Sequence, residues 1–197
     1  MSLQTWEETL VSQYVDSPLQ TTFTTAKSIF GLDGTDQSVH CKYTVPAGFF
    51  VPGKSMNVQL RGDISNIVTT PGTITFQFMV GSNIAWTSGA IQMSSTAHTT
   101  LPFWLDLDVT CQVAGATNQA KLMGQGMIIS QTVVNTAVAD SVANTLPVLL
   151  LPNTTPAQGS GGFDSTVSNK IDIFVGFSIS NAGNGVRARQ YRLRAMN

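Results

Sequence analysis

Phe103-Trp104-Leu105-Asp106-Leu107-Asp108-Val109-Thr110-Cys111 alternates without a break. Phe103, Leu105, Leu107, Val109 and Cys111 fall on one side of an extended chain, and Trp104, Asp106, Asp108 and Thr110 on the other, the pattern of a strand with one buried face. The same period returns in Met56, Val58, Leu60, Gly62 and Ile64, set against Asn57, Gln59, Arg61 and Asp63, and again in Ile171, Ile173, Val175, Phe177 and Ile179. Further strands are predicted over Thr21–Ile29, Val39–Val45, Thr73–Val80, Ala120–Ser130 and Val186–Ala195, each bounded by Gly, Pro, Asn or Asp. Eight or more strands at this spacing, with no persistent helical period between them, indicate a sandwich or barrel built from antiparallel pairs, and the expected fold is an all-β antiparallel β-sandwich, jelly-roll-like. Thr70-Pro71-Gly72, Val80-Gly81-Ser82-Asn83 and Asn181-Ala182-Gly183-Asn184-Gly185 supply the turns.

The 197 residues suit one domain. Residues 1–20 read as an N-terminal arm and residues 21–197 as a single β-sandwich domain, with a long loop at about 131–165 where the pattern loosens into Ala, Val, Asn, Pro and Gly. In the arm, Thr5 and Glu8 fit a capping box, while Leu3, Trp6 and Leu10 share a face only if the segment is helical, so both a helical and an extended arm are open. Either way Trp6 and Leu10 need burial, against this sandwich or on a neighbouring subunit.

Charged residues make up 11% of the chain, against about 25% in an ordinary soluble domain. Ser, Thr, Asn, Gln and Gly must therefore cover much of the surface. These groups are less costly to desolvate than Lys and Glu, which suits a surface that meets other protein in a crowded assembly. A net charge of −1 with pI near 6.0 gives no overall field for nucleic acid or anionic lipid, and neither partner is expected. The opening residues lack the basic and apolar segments of a secretory signal, and the longest apolar run, Val148–Leu151, is far too short to span a bilayer. The expectation is a soluble protein made in the cytoplasm. Cys41 and Cys111 are expected as buried free thiols, and Asn153-Thr154-Thr155 as an unused glycosylation pattern.

Candidates for chemistry are few. His40, His98, Cys41 and Cys111 show no metal-ligand spacing, and adjacent His40 and Cys41 point to opposite sides of a strand; His98 reads as a solvated loop residue. Asp106 and Asp108, about 7 Å apart on one strand face, could begin a glycosidase or calcium site, but pairing with Arg or Lys of a neighbouring strand is the simpler role. Asp164 reads as a brace for its own loop through backbone amides. Arg187, Arg189, Arg192 and Arg194 form the basic cluster of the chain, expected to pair with Asp106, Asp108 or Asp172, or across a subunit contact. No catalytic residue, cofactor or metal is expected.

The stretches Leu3-Gln4-Thr5-Trp6-Glu7-Glu8-Thr9-Leu10, Phe103 to Leu107 running on to Thr110-Cys111, Gly124-Gln125-Gly126, Gly162-Phe163-Asp164-Ser165-Thr166, and Gln190-Tyr191 with Leu193 resemble small virion structural proteins of tailed bacteriophages. The resemblance is one of overall pattern across nearly the whole chain. It implies a jelly-roll domain, a homotrimer, and a place in the virion as a capsid decoration or cement protein on the major capsid protein; related sandwiches occur in tails and fibres. It implies no catalytic residues. Trp6, Leu10, Arg192 and Arg194 are the expected partner contacts. The alternative is a tail or fibre component in which Trp86 or Trp104 stacks on a host glycan.

Overall fold

The computed structural model describes residues 7–34, 40–134, 148–152 and 162–196. Thirteen strands follow in order: β1 (Glu7–Ser12), β2 (Gln20–Thr21), β3 (Lys27–Ser28), β4 (Tyr43–Val45), β5 (Ser55–Asn66), β6 (Thr73–Val80), β7 (Asn83–Thr87), β8 (Ile91–Gln92), β9 (His98–Val113), β10 (Lys121–Ser130), β11 (Val148–Leu151), β12 (Asn169–Phe177) and β13 (Gly185–Met196). They form two antiparallel sheets. The seven-stranded sheet runs β1-β13-β5-β9-β10-β11, with β2 also on β13. The six-stranded sheet runs β3-β12-β6-β7, with β4 also on β12 and β8 on β6.

The pairs β1 with β13, β4 with β12, β5 with β9 and β6 with β7 nest inside one another along the chain. They describe one long hairpin, tipped at β6–β7 and wrapped so that β13 lies beside β5 and β12 beside β6. That is a jelly roll, with β10 and β11 added outside β9. Gly81, at φ +62°, and Ser82 turn the tip between paired Val80 and Asn83, a conformation that glycine adopts without a Cβ penalty.

The alternating residues of the sequence meet between the sheets. Val58, Leu60, Leu105, Leu107, Ile173 and Val175 are all buried there. Phe76 packs on Phe103 at 5.7 Å between ring centroids, Phe30 on Tyr191 at 4.7 Å and Phe50 on Phe163 at 5.0 Å. Trp86 reaches from β7 to the opposite sheet and donates its indole N–H to the Gly124 carbonyl at 2.9 Å. A Cβ on Gly124 would stand 2.8 Å from the Trp86 ring, so the glycine makes room for the indole.

Several expectations change in detail. The predicted strand Thr21–Ile29 is two short pairings, β2 and β3, and Val39–Val45 contributes β4 from Tyr43 onward. β12 ends at Phe177, short of Ile179. Residues 7–12 of the arm are neither free nor helical: they are an edge strand on β13. The segment 131–165 contributes β11, an isolated bridge from Val133 to Met93 and another from Phe163 to Ala120. Trp6, Asn153-Thr154-Thr155 and Gln158 to Gly161 lie outside the described residues.

Candidate interaction surface

The outer face of the seven-stranded sheet gathers more of the residues singled out from sequence than any other part of the molecule. Its strands are in register, so the outward side chains line up in rows across the sheet. One row runs Ser12, Arg192, Gln59, Asp106, Met127, Leu150 from β1 to β11. The next runs Gln190, Arg61, Trp104, Ile129, Val148. Each row changes character on passing β9, with polar groups on the β13–β5 side and apolar groups on the β10–β11 side.

On the apolar side, Trp104 is 43% exposed, Met127 41%, Val148 54% and Leu150 75%. The Arg61 guanidinium lies 4.0 Å from the centroid of the Trp104 ring and covers part of one face. Sequence reasoning weighed Trp104 but missed Met127, Val148 and Leu150. The signal was there: in β10 the outward set includes Met123, Met127 and Ile129, and Val148-Leu149-Leu150-Leu151 is apolar on both sides. A strand with one face in the core and the other also apolar has a second surface to cover.

On the polar side a chain of bonds crosses four strands. Arg194 pairs with Glu7 at 2.6 Å and donates to Asn57 Oδ1 at 2.9 Å. The Asn57 amide nitrogen in turn donates to Asp106 at 2.9 Å and Asp108 at 2.8 Å. Gln59 reaches Asp106 at 3.4 Å. The expected pairing of the arginines with Asp106, Asp108 or Asp172 is not what forms. Arg187 and Arg189 converge on Asp63 at 2.9 and 2.6 Å, and Arg189 also takes Asp16 at 2.6 Å. β5 separates β9 from β13, so Asp63 on β5 is the near partner. Among the described residues Asp106 and Asp108 meet no cation, and Arg192 and Arg61 meet no carboxylate. Of the expected contacts, Arg192 is exposed, Arg194 is partly covered by its pairing, and Leu10 packs half-buried against the core.

The other candidates resolve into structural roles. Trp86 is buried, which removes it from any glycan surface. Asp164 accepts from the Thr166 amide at 2.9 Å and its hydroxyl at 2.6 Å, bonds that lower its pKa and close the loop as expected. Cys41 and Cys111 are free and buried, and burial pushes the Cys41 thiol up to about 11, so it is protonated at neutral pH. His40 stacks on Tyr14 with ring centroids 5.0 Å apart, away from Cys41, which is buried in the core. His98 opens β9 rather than lying in a loop. Among the described residues no three His, Cys, Asp or Glu gather as a metal site, and no helix is long and apolar enough to cross a membrane.

A second charged cluster lies beside β12. Lys42 and Asp172, each with a side chain only 7% exposed, pair at 3.1 Å. Lys42 also donates to Asp33 at 2.7 Å and to the Gly31 carbonyl at 3.0 Å, while Asp172 accepts from Ser28 at 2.9 Å and the Ile173 amide at 2.7 Å. Lys170 holds Asp33 from the other side at 2.7 Å. Burial raises the pKa of the Asp172 carboxyl, whereas hydrogen bonds from Lys170 and Lys42 hold that of Asp33 down at about 2. A cleft of about 1020 Å³ opens over this cluster. Its cations and carboxylates already satisfy one another, so it is a clasp between the turn at Gly31–Asp33 and the sheet.

No protein-family model matches the chain, and no curated protein matches it. Among solved structures it is similar to the CBM2 module of the evolved Dit of Lactobacillus casei BL23 phage J-1, at 9% identity over 79% of this chain and 68% of that chain, with a TM-score of 0.26. A likeness at that score bears on neither function nor partner.

Proposed function

We propose that this chain is a non-catalytic structural subunit of a phage particle, a decoration protein of the head that binds the major capsid protein through the apolar strip of its seven-stranded sheet. The observation that carries the reading is the pair of rows ending in Met127 and Leu150, and in Trp104, Ile129 and Val148, held outward on a sheet. Single exposed apolar residues are ordinary, whereas contiguous ones mark protein contacts. Trp, Met and Arg are the side chains enriched in such contacts, and Lys and Glu are depleted. A low-charge surface and the jelly-roll architecture, common in particle shells, support the same reading, as does the sequence resemblance to virion proteins.

The test is co-sedimentation with undecorated heads. The unmodified protein is expected to travel with the heads, and Leu150→Glu or Val148→Glu, each folded by circular dichroism, to stay in the supernatant. Full head binding by both variants sinks the proposal. A second reading, a tail or fibre component that binds host glycan, draws on the exposure of Trp104, two residues from Asp106 on the same face of β9. Arg61 over the ring leaves less of it free for a sugar. Binding to host wall glycan that is lost in Trp104→Ala and kept in Leu150→Glu would move the protein from head to tail.

A further inference from the structure

We propose that the polar half of the same face is a contact with a second copy of this chain, in which Asp106 of each copy meets Arg192 of the other. This goes beyond docking through the apolar strip and does not depend on it.

The starting point is a mismatch within the chain. β9 carries Asp106 and Asp108 without a cation, and the β5–β13 side carries Arg61 and Arg192 without a carboxylate, among the described residues. Asp106 and Arg192 share one row, with Gln59 of β5 between them. Two strand spacings, about 10 Å, keep them from pairing at home. Around Arg192 the surface sinks into a groove of about 380 Å³ bordered by Ser12, Gln13, Gln59, Arg61 and Gln190. Its exposed arginines and amides are donors suited to an incoming carboxylate.

A two-fold axis lying along β5 supplies that carboxylate. Rotation about it exchanges β9 with β13 while keeping the rows aligned, so Asp106 stands over Arg192 of the second copy and Asp108 over its Arg194, twice per pair. On the axis Gln59 faces Gln59, and an amide can both donate and accept. The other face-to-face arrangement, with the axis across the strands, sets acid over acid and arginine over arginine and is rejected by like-charge repulsion. The second copy's β13 and β1 come to lie over β9 and β10 and cover Trp104, Met127 and Ile129, whereas β11 lies three strands from the axis and β1 only two, so Val148 and Leu150 overhang the second copy and are the part of the apolar strip a pair leaves open to the head.

The experiment is solution mass by light scattering at low and high salt, with single and mixed charge reversals. The unmodified protein is expected at twice 21.0 kDa in about 50 mM salt, dissociating toward 21.0 kDa in about 500 mM. Asp106→Arg and Arg192→Asp alone each weaken association by about tenfold or more, because each places like charges at both symmetry-related contacts. An equimolar mixture of the two variants restores the pair, since every contact is again between opposite charges; thermal melts confirm that each variant is folded. A 21.0 kDa mass at every salt concentration, a threefold mass indifferent to both reversals, or a mixture that fails to recover overturns the proposal. Head binding by the monomeric single variants reports on the apolar strip separately, so the two readings fail independently.

Discussion

A closed charge cluster beside one sheet contrasts with a set of charges that the other sheet leaves open next to its own Asp63 and Glu7 ion pairs. Beside β12, Asp33, Lys42, Lys170 and Asp172 close on one another, with Lys42 and Asp172 nearly out of water. On the outer face of the seven-stranded sheet, Asp106, Asp108, Arg61 and Arg192 stand in register yet apart, beside a strip of exposed apolar side chains. Residue types do not separate these regions; distance and burial do. A charge cluster that satisfies itself holds a fold together, while one left open on a flat sheet is suited to another molecule.

The sharpest way to break the contrast is to remove one member of the closed cluster. Lys42→Met leaves the Asp172 carboxylate buried without its cation and is expected to lower stability by about 3–5 kcal/mol, read from denaturant unfolding. Lys42→Met with Asp172→Leu recovers most of that loss. The pH dependence has a definite sign. The folded pKa of Asp172 lies above 3.8, so its contribution is fully present below that value and is lost as pH rises through the folded value. The deficit of Lys42→Met therefore narrows on acidification. Asp33 runs the other way: its contribution is present above 3.8 and is lost as pH falls toward about 2.

The two tryptophans sharpen the same comparison. Trp86→Ala opens a cavity between the sheets and strands the Gly124 carbonyl, a loss of about 3–5 kcal/mol in unfolding free energy. Trp104→Ala, on the open face, is expected to cost about 1 kcal/mol or less. Smallest of all, Leu150→Glu should leave the unfolding free energy within about 0.5 kcal/mol of the unmodified protein, because its side chain is already in solvent. A large destabilisation there would mean that Leu150 serves the fold and would remove it from the proposed contact.

Strands whose sides differ were legible in the sequence. Met56–Ile64, Phe103–Cys111 and Thr73–Val80 lie within β5 and β9 or coincide with β6 because one side of each is core. β1 was not legible: its register shifts between Thr9 and Val11, which breaks the alternation at Leu10 and lets a helical spacing compete. β2, β3 and β8, at two residues each, are too short to show a period. β11 was hidden by being apolar on both sides. At the surface, Trp104, Asp106 and Arg192 could be placed on faces from sequence, but their neighbours could not. That Asp63, not Asp106, takes Arg187 and Arg189 depends on β5 lying between β9 and β13, which local pattern does not encode.

The position of β13 has a consequence for synthesis. The last of the thirteen strands among the described residues sits inside its sheet, between β1 and β5, more than a hundred positions after the latter in the chain. While it is still in the ribosome, β5 has an open flank and β1 has no sheet to join, so non-local pairing must wait. The rows that cross β13 and β5 therefore come into being late, only once β13 has left the ribosome and taken its place beside β5.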